Sequence, residues 1–250
     1  MFGALPAEVY GAGLVFCRVG SLIMLLPGIG EASVPPRIRL SLALVLTLAF
    51  YPILRAGIPA VPGTVGGVGA QILIELAIGL AIGSLLRLFL GALVVAGETV
   101  SLQTTLSFAQ TANPLGGQPT TTVATFLTLL GLTLVFATDL HQMFIAAIIN
   151  SYGMFPAGRG FSVGDFGQLS IQTMSQTFAL GIQLAAPVIV FSLVFNIAVG
   201  FIGRAMPQFQ IFFVATPLSV LLGLSILALT LGVFGLVWVD KFRTFVGQLV

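Results

Sequence analysis

Charged side chains are scarce in this chain of 250 residues. It has nine Lys or Arg and seven Asp or Glu, together 6% of its residues, whereas a soluble domain carries about 25%. Because 58% of the residues are hydrophobic, a soluble fold of this size could not cover its surface with polar groups. The composition therefore excludes an ordinary soluble enzyme, a disordered chain and a coiled coil. It leaves a polytopic helical membrane protein, or a subunit whose helices are buried by partner proteins.

Residue types that often carry chemistry are equally scarce. Cys17 is the only cysteine, which excludes an internal disulfide and a cysteine-based metal site. His141 is the only histidine, and the sequence contains neither an HExxH zinc motif nor a Gly-x-Ser-x-Gly nucleophile elbow. Lys and Arg form no cluster of the kind that binds nucleic acid. We therefore expect no catalytic residue, no metal, no cofactor and no nucleic-acid partner.

The sequence contains six hydrophobic segments. They lie at about residues 8–27, 38–55, 68–103, 122–151, 170–203 and 209–239. We predict an all-α fold, because backbone amides have no water partner in hydrocarbon and only helices or closed barrels satisfy them. The third segment would run about 50 Å against a hydrocarbon core of about 30 Å, so it must tilt, break or leave the bilayer. Pro187 and Pro217 should kink the last two segments. The first segment lacks a positive region before it, so we do not expect a cleaved signal peptide.

The basic residues of the links do not orient the chain in a membrane. If six spans alternated, three basic residues would fall on one side and four on the other: Arg37, Arg39 and Arg204 against Arg55, Arg159, Lys241 and Arg243. The excess of Lys and Arg that marks the cytoplasmic side is absent. Either the chain is a weakly biased membrane protein, or its hairpins do not simply alternate across a bilayer.

A regular row of residues marks the third segment. Glu75, Gly79, Gly83, Arg87 and Gly91 recur every four residues, and we call this row the glycine ridge. Two glycines in G-x-x-x-G spacing let another helix approach closely. We predict that the ridge packs against a partner helix, with its charges fixing the register; the alternative is a chance pattern in a chain with 30 glycines.

Away from the ends of the hydrophobic segments lie Arg18, Glu75, Arg87, Glu98, Asp139 and His141, all of which can ionise. Such groups are costly in a membrane unless they are paired or face water. We expect structural pairing with neighbouring subunits, and the alternative is a substrate or proton pathway. His141 should make a hydrogen bond at a helix end or between helices.

The link SLQTTLSFAQTANPLGGQPTTT (101–122) is polar but carries no charge, and we call it the uncharged link. Asn113-Pro114 and Gly116-Gly117 are turn signals. The link is either an ordinary exposed loop or a loop packed inside a protein lumen, where it would close a pore without fixing a charge in it. The residues alone leave both interpretations open.

The segment GRAMPQFQIFFVATP (203–217) resembles the Arg-x-x-Pro-Gln region of the FliR family. That family is the R subunit of the flagellar type III export gate and has an injectisome counterpart. Other stretches are similar in the same order: the link from Pro27 to Arg39, the pattern from Glu75 to Gly83, GETVSLQTTLSFAQTANP (97–114), and His141, Ser151 and Pro156. The resemblance covers about 200 residues.

The resemblance implies an assembly and a place in the cell. One R subunit would join several P-type and Q-type subunits in a closed helical ring, with the export-apparatus B subunit around its entrance. Unfolded flagellar proteins would cross this channel in the bacterial inner membrane, within the flagellar basal body. The helices would form tilted hairpins largely above the membrane plane. Residues 1–152 would be the P-like part, and residues 153–250 the Q-like hairpin.

The resemblance also assigns residues. The loop at about 104–120 would be the plug of the channel. Its assigned residues are Leu106, Ser107, Phe108, Gln110, Asn113, Pro114, Leu115, Gly116, Gly117 and Gln118. Asn113 departs from the acidic residue that the family often has there. Subunit packing would involve Arg204, Pro207 and Gln208, together with Glu75, Gly79, Gly83 and Arg87 of the glycine ridge.

A stand-alone transporter or channel for small solutes is the alternative function. It predicts discontinuous helices that meet at a polar site near the midplane, which Arg18, Arg87 and Glu98 would line. Arg87 and Glu98 are eleven residues apart, about 16 Å on one unbroken helix. They cannot pair there, which weakens this alternative.

Overall fold

The computed structural model describes residues 5–31, 33–107, 120–160, 163–206 and 210–248. Those residues form long α-helices, a single 3₁₀ turn at Arg55–Gly57 and no β-strand. The helices are α1 (Leu5–Leu25), α2 (Pro36–Leu54), α3 (Val65–Gln103), α4 (Thr122–Ala137), α5 (Leu140–Met154), α6 (Val163–Ala205) and α7 (Ile211–Gly247). The predicted all-α fold is confirmed.

Each predicted hydrophobic segment corresponds to helical structure. α1, α2, α3, α6 and α7 are long and apolar enough to cross a membrane. The fourth segment is not one helix: α4 and α5 are bent by 76° at their junction. There Asp139 has a φ of 57°, in the left-handed region, which Asp tolerates better than most residues. Together α4 and α5 count as a sixth span only if a bent span is allowed. With five or six such spans, the chain has the helices of a polytopic membrane protein.

Three helices are much longer than a perpendicular span. α3 has 39 residues, α6 has 43 and α7 has 37, which correspond to about 58, 64 and 56 Å against a hydrocarbon core of about 30 Å. α3 was predicted to be overlong, and α6 and α7 share the property. Pro187 and Pro217 lie inside α6 and α7, and each helix continues through its proline. A large part of each helix must therefore tilt strongly or lie outside the hydrocarbon.

The chain forms two compact units that are interleaved in sequence. The first comprises Met1–Phe89, Phe136–Met174 and Arg243–Val250. There α1 packs along α2, and the end of α7 is buried through Phe245, whose ring stacks on Phe89 at 4.6 Å between centroids. The last turns of α7 are thus packed within the first unit. The first unit holds the ion pairs considered below.

The second unit comprises Leu90–Val135 and Ser175–Phe242. Its helices approach closely through glycines. A methyl group at Gly181 would lie 2.7 Å from Val95 Cβ, and one at Gly131 would lie 2.1 Å from Leu93 Cδ1. Trp238 is fully buried in this unit and stacks on Phe242. The predicted division at residue 152 does not coincide with either unit, and it stays a prediction based on resemblance.

The apolar helices differ greatly in how much of them the chain itself covers. In α3, 61% of the most apolar stretch is buried, but in α2 and α6 the share is 17% and in α7 it is 22%. Among the exposed side chains are Leu48, Phe201, Phe213 and Leu229, at 71% to 84% exposure. Such surfaces need an apolar cover, which is lipid or another protein.

Candidate functional site

The glycine ridge packs against α1 of the same chain. A methyl group added at Gly79 would lie 2.0 Å from Ser21 Oγ and 2.4 Å from the Arg18 carbonyl oxygen. At Gly83 it would lie 2.8 Å from Leu25 Cβ. The close approach that the spacing predicts is therefore present, but the partner helix is intramolecular. α1 occupies the space beside Gly79 and Gly83, and their role in subunit packing stays a prediction.

Arg18 and Glu75 form a fully buried ion pair at one end of this contact. Arg18 Nε donates to Glu75 Oε2 at 2.6 Å, and Nη1 donates to the Ser151 carbonyl at 3.1 Å. The guanidinium also lies 3.9 Å from the centre of the Tyr152 ring. Each interaction compensates part of the large cost of removing a charge from water. The pair thereby joins α1, α3 and α5.

Glu75 also fastens the link that follows α5. Its Oε1 accepts a hydrogen bond from the Gly158 amide at 2.9 Å. Gly158 has a φ of +74°, a conformation that glycine adopts without steric cost. A side chain at Gly158 would also lie 2.7 Å from Pro59 Cγ. Both carboxylate oxygens of Glu75 therefore accept hydrogen bonds within the chain, and its role in subunit packing stays a prediction.

The remaining charges of the first unit lie nearer the surface. Arg87 Nη2 is 3.8 Å from Glu31 Oε2, and the Arg87 side chain is 47% exposed. Subunit packing stays a prediction for Arg87, because its exposed guanidinium has more N–H donors than the contact with Glu31 uses. Glu8 accepts hydrogen bonds from Tyr51 and Arg55. The His141 ring lies 5.6 Å from the Phe136 ring, between centroids, at the start of α5.

The two ends of the uncharged link lie in the second unit. α3 ends at Gln103, and Thr105 turns the chain with a φ of 61°. Leu106 and Ser107 continue as a short helical stretch and are half-buried. The other predicted plug residues lie outside the described residues: Phe108, Gln110, Asn113, Pro114, Leu115, Gly116, Gly117 and Gln118. Their role as a plug stays a prediction.

The end of the link that follows α3 is held by packing and hydrogen bonds. Thr104 is fully buried, and its Cγ2 occupies space that a methyl group at Gly223 would need, at 2.2 Å. The Ser192 hydroxyl is 3.1 Å from the Gln103 carbonyl and 2.9 Å from Gln103 Oε1, and donates to these oxygens. The last turn of α3 is thus fixed to α6 and α7.

The end of the link that precedes α4 is held by Glu98. The Thr121 amide donates to Glu98 Oε1 at 2.8 Å, and Thr121 Oγ1 accepts from the Ala124 amide at 3.2 Å. Thr121 therefore caps the start of α4. Beside it, a methyl group at Gly97 would lie 2.3 Å from Ala124 Cα, so the backbones of α3 and α4 are in contact.

An apolar groove of about 370 Å³ borders the ends of the link in the same unit. It is lined by Leu106, Thr122, Val123, Phe126, Leu224, Leu227, Ala228 and Leu231. None of these side chains is charged. Such a groove suits an apolar side chain or lipid chain rather than the polar site that the transporter alternative predicts.

The second predicted motif lies at the end of α6. Arg204 is exposed in the last turn of that helix, where a cation interacts favourably with the carbonyl end of the helix. Pro207 and Gln208 lie outside the described residues. Subunit packing by these three residues stays a prediction.

Several partners are not evident from the sequence alone. Ser151, Gly158, Thr121 and Ser192 have no charge and no spacing that links them to Arg18, Glu75, Glu98 or Gln103. The exception is Gly97, which stands directly before Glu98 in the sequence. A glycine beside a charged residue indicates a close helix approach next to that charge. In the part of the chain that the structure describes, no three His, Cys, Asp or Glu side chains gather as a possible metal site.

Comparison with known proteins identifies the family. Residues 9–245 match the family described as bacterial export proteins, family 1. The flagellar biosynthetic protein FliR of Caulobacter vibrioides is 57% identical over 236 residues, which are 94% of either chain. The chain belongs to the FliR family. This confirms the resemblance inferred from the Arg204 region and the uncharged link.

More distant FliR proteins align over most of the chain. That of Escherichia coli is 31% identical over 213 residues, 84% of this chain and 80% of the relative. That of Bacillus subtilis is 23% identical over 225 residues, 88% of this chain and 85% of the relative. The FliR similarity therefore includes both interleaved units and is not restricted to one motif.

Proposed function

We propose that this chain is a structural and gating subunit of the flagellar type III export gate. Together with P-type and Q-type subunits it forms a channel for unfolded flagellar proteins. The observation that carries the proposal is the 57% identity to a flagellar biosynthetic protein FliR over 94% of the chain. The chain acts in the bacterial inner membrane within the basal body, where the export-apparatus B subunit contacts the assembled gate.

Two features of the structure support a subunit role. The apolar surfaces of α2, α6 and α7 are mostly uncovered by the chain itself, as expected of helices completed by P-type and Q-type neighbours. The buried charges Arg18 and Glu75 neutralise each other within the first unit, so they do not form an open polar path for a solute. The residues act by packing, and exported proteins are transient substrates of the passage.

The gating role belongs to the loop between α3 and α4. Its two ends are fixed in the second unit by Gln103, Thr104 and Thr121. The residues between them carry no charge. A loop with firm ends and an uncharged middle can occupy a passage, and move out of it, without attracting ions into it.

Deletion of residues 107–118 tests this role. The complex of this chain with P-type and Q-type subunits is purified, reconstituted in lipid bilayers and examined for ion conductance. We expect the complex to assemble in normal amount and to leak, because the passage loses its obstruction. Asn113→Asp, which restores the acidic residue typical of the family, serves as the control and should remain tight.

The same preparation distinguishes the alternative function. If the deleted complex assembles and conducts no more than the unaltered one, the plug role is wrong. If the isolated chain forms a stable monomer and moves a small solute by itself, the transporter alternative is correct and the subunit role fails.

A further inference from the structure

Glu98 is an isolated charge in a long stretch of the chain that has no other charge. Between Arg87 and Asp139 it is the only charged residue in the sequence. A carboxylate within such a helix is costly unless a specific partner stabilises it. In the part of the second unit that the structure describes, Glu98 has such a partner in the Thr121 amide, at 2.8 Å.

The bond joins Glu98 to the first turn of α4. Thr121 caps that helix, and its amide is among those that have no acceptor inside the helix. The positive end of a helix attracts a carboxylate, and a hydrogen bond between an amide and a carboxylate is stronger than one between neutral groups. Glu98 therefore holds the point at which the chain re-enters regular structure.

Gly97 brings the two helices close enough for this bond. A methyl group at Gly97 would lie 2.3 Å from Ala124 Cα and 2.6 Å from Ala124 N. Any other residue at position 97 would separate α3 from the start of α4. The contact at Gly97 and the hydrogen bond of Glu98 thus act on the same turn, and we call residues Gly97, Glu98, Thr121 and Ala124 the loop clamp.

We infer that the loop clamp sets the length of chain available to the plug. With the clamp closed, the two ends of the link are held at Thr104 and Thr121. If the clamp opened and the first turn of α4 unwound, about four residues would be released, which extends the reach of the loop by about 13 Å. Glu98 is in this sense a positioning residue that keeps the plug in register with the passage. The inference rests on the proposed gating role.

Three variants test the clamp in the reconstituted complex. Glu98→Ala removes the acceptor, whereas Glu98→Gln keeps an oxygen that accepts the Thr121 N–H. We expect ion conductance per complex to rise several-fold in Glu98→Ala and to stay near the unaltered level in Glu98→Gln. Glu31→Ala, which removes an acidic side chain from the first unit, is the control and should remain tight.

Combination with the deletion of residues 107–118 separates positioning from general damage. If Glu98 acts through the loop, Glu98→Ala adds no conductance to the deleted complex. Additional conductance in the double variant, or no leak in Glu98→Ala with normal assembly, would overturn the inference. If the deletion itself does not leak, the proposed gating role fails, and the inference fails with it.

Hydrogen exchange reports on the clamp without reference to conductance. The amides of residues 121–124 should exchange at least about tenfold faster in Glu98→Ala, because loss of a charge-assisted hydrogen bond changes an opening equilibrium by at least about this factor. Unchanged exchange in a complex whose deletion variant leaks would show that the clamp is wrong although the gating role is right.

Discussion

At the scale of single residues, pairing of the membrane charges was predictable but their partners were not. Arg18 and Glu75 are separated by 57 positions, and no periodicity relates two positions on different helices. The expected pairing with neighbouring subunits was wrong for these two residues, because the fold brings α1 and α3 together. Ser151 and Gly158, which complete the hydrogen bonds, carry no signal in the sequence.

We predict that removing one charge of the buried Arg18–Glu75 pair lowers the stability of the chain far more than removing both charges. Arg18→Met leaves Glu75 buried without its cation and should destabilise the chain by about 3–5 kcal/mol, whereas Arg18→Met with Glu75→Leu should destabilise it by clearly less. The thermal midpoint of the purified complex measures the difference.

The exposed pair provides the matched control. Arg55→Met removes a cation that pairs with Glu8 and is 64% exposed, so solvent screening should limit the loss to less than about 1 kcal/mol. Equal losses for Arg18→Met and Arg55→Met would contradict the view that burial determines the cost.

At the scale of helices, the sequence predicted where regular structure lies but not how it is interrupted. The start of α4 at Thr122 and the end of α3 at Gln103 were both expected from the uncharged link. The bend between α4 and α5 was not, because no Gly or Pro marks it and the apolar run continues on both sides. The left-handed conformation at Asp139 is one that Asp tolerates but does not require, so the residue type alone does not predict it.

The contact between α1 and α3 gives a prediction at this scale. Gly79→Ala should weaken it, since the added methyl group would lie 2.0 Å from Ser21 Oγ and 2.4 Å from a backbone oxygen; overpacking of this kind costs about 1–3 kcal/mol. Gly69→Ala in the same helix has no heavy atom within 4 Å of the new group and should be neutral or stabilising by up to about 1 kcal/mol.

Thermal unfolding of the two alanine variants in the same complex makes the comparison. A lower midpoint for Gly79→Ala beside an unchanged or higher midpoint for Gly69→Ala would support tight packing of α1 on the glycine ridge. Equal midpoints would mean that the helices separate there at no cost.

At the scale of the whole molecule, composition and family resemblance were more informative than any single motif. Scarcity of charge predicted that the helices need an apolar cover. The structure shows that the rest of the chain covers only a small share of the apolar surfaces of α6 and α7. Whether lipid or protein covers a given face is not encoded in hydrophobicity, because both covers are apolar. The proposed assembly with P-type and Q-type subunits favours protein, and a change of side-chain size tests this proposal, because fluid lipid adapts to a larger side chain and a packed interface does not.

Leu229 is suited to this test because it is 84% exposed in α7. We predict that Leu229→Trp lowers the yield of the complex with P-type and Q-type subunits, since an overfilled interface costs about 1–3 kcal/mol, while the chain still inserts into membranes in normal amount. Leu229→Met, which nearly conserves volume, should leave the yield unchanged. A normal yield for Leu229→Trp would assign this face of α7 to lipid and confine the subunit contacts to other surfaces, because a bilayer accepts tryptophan where a close-packed protein neighbour cannot.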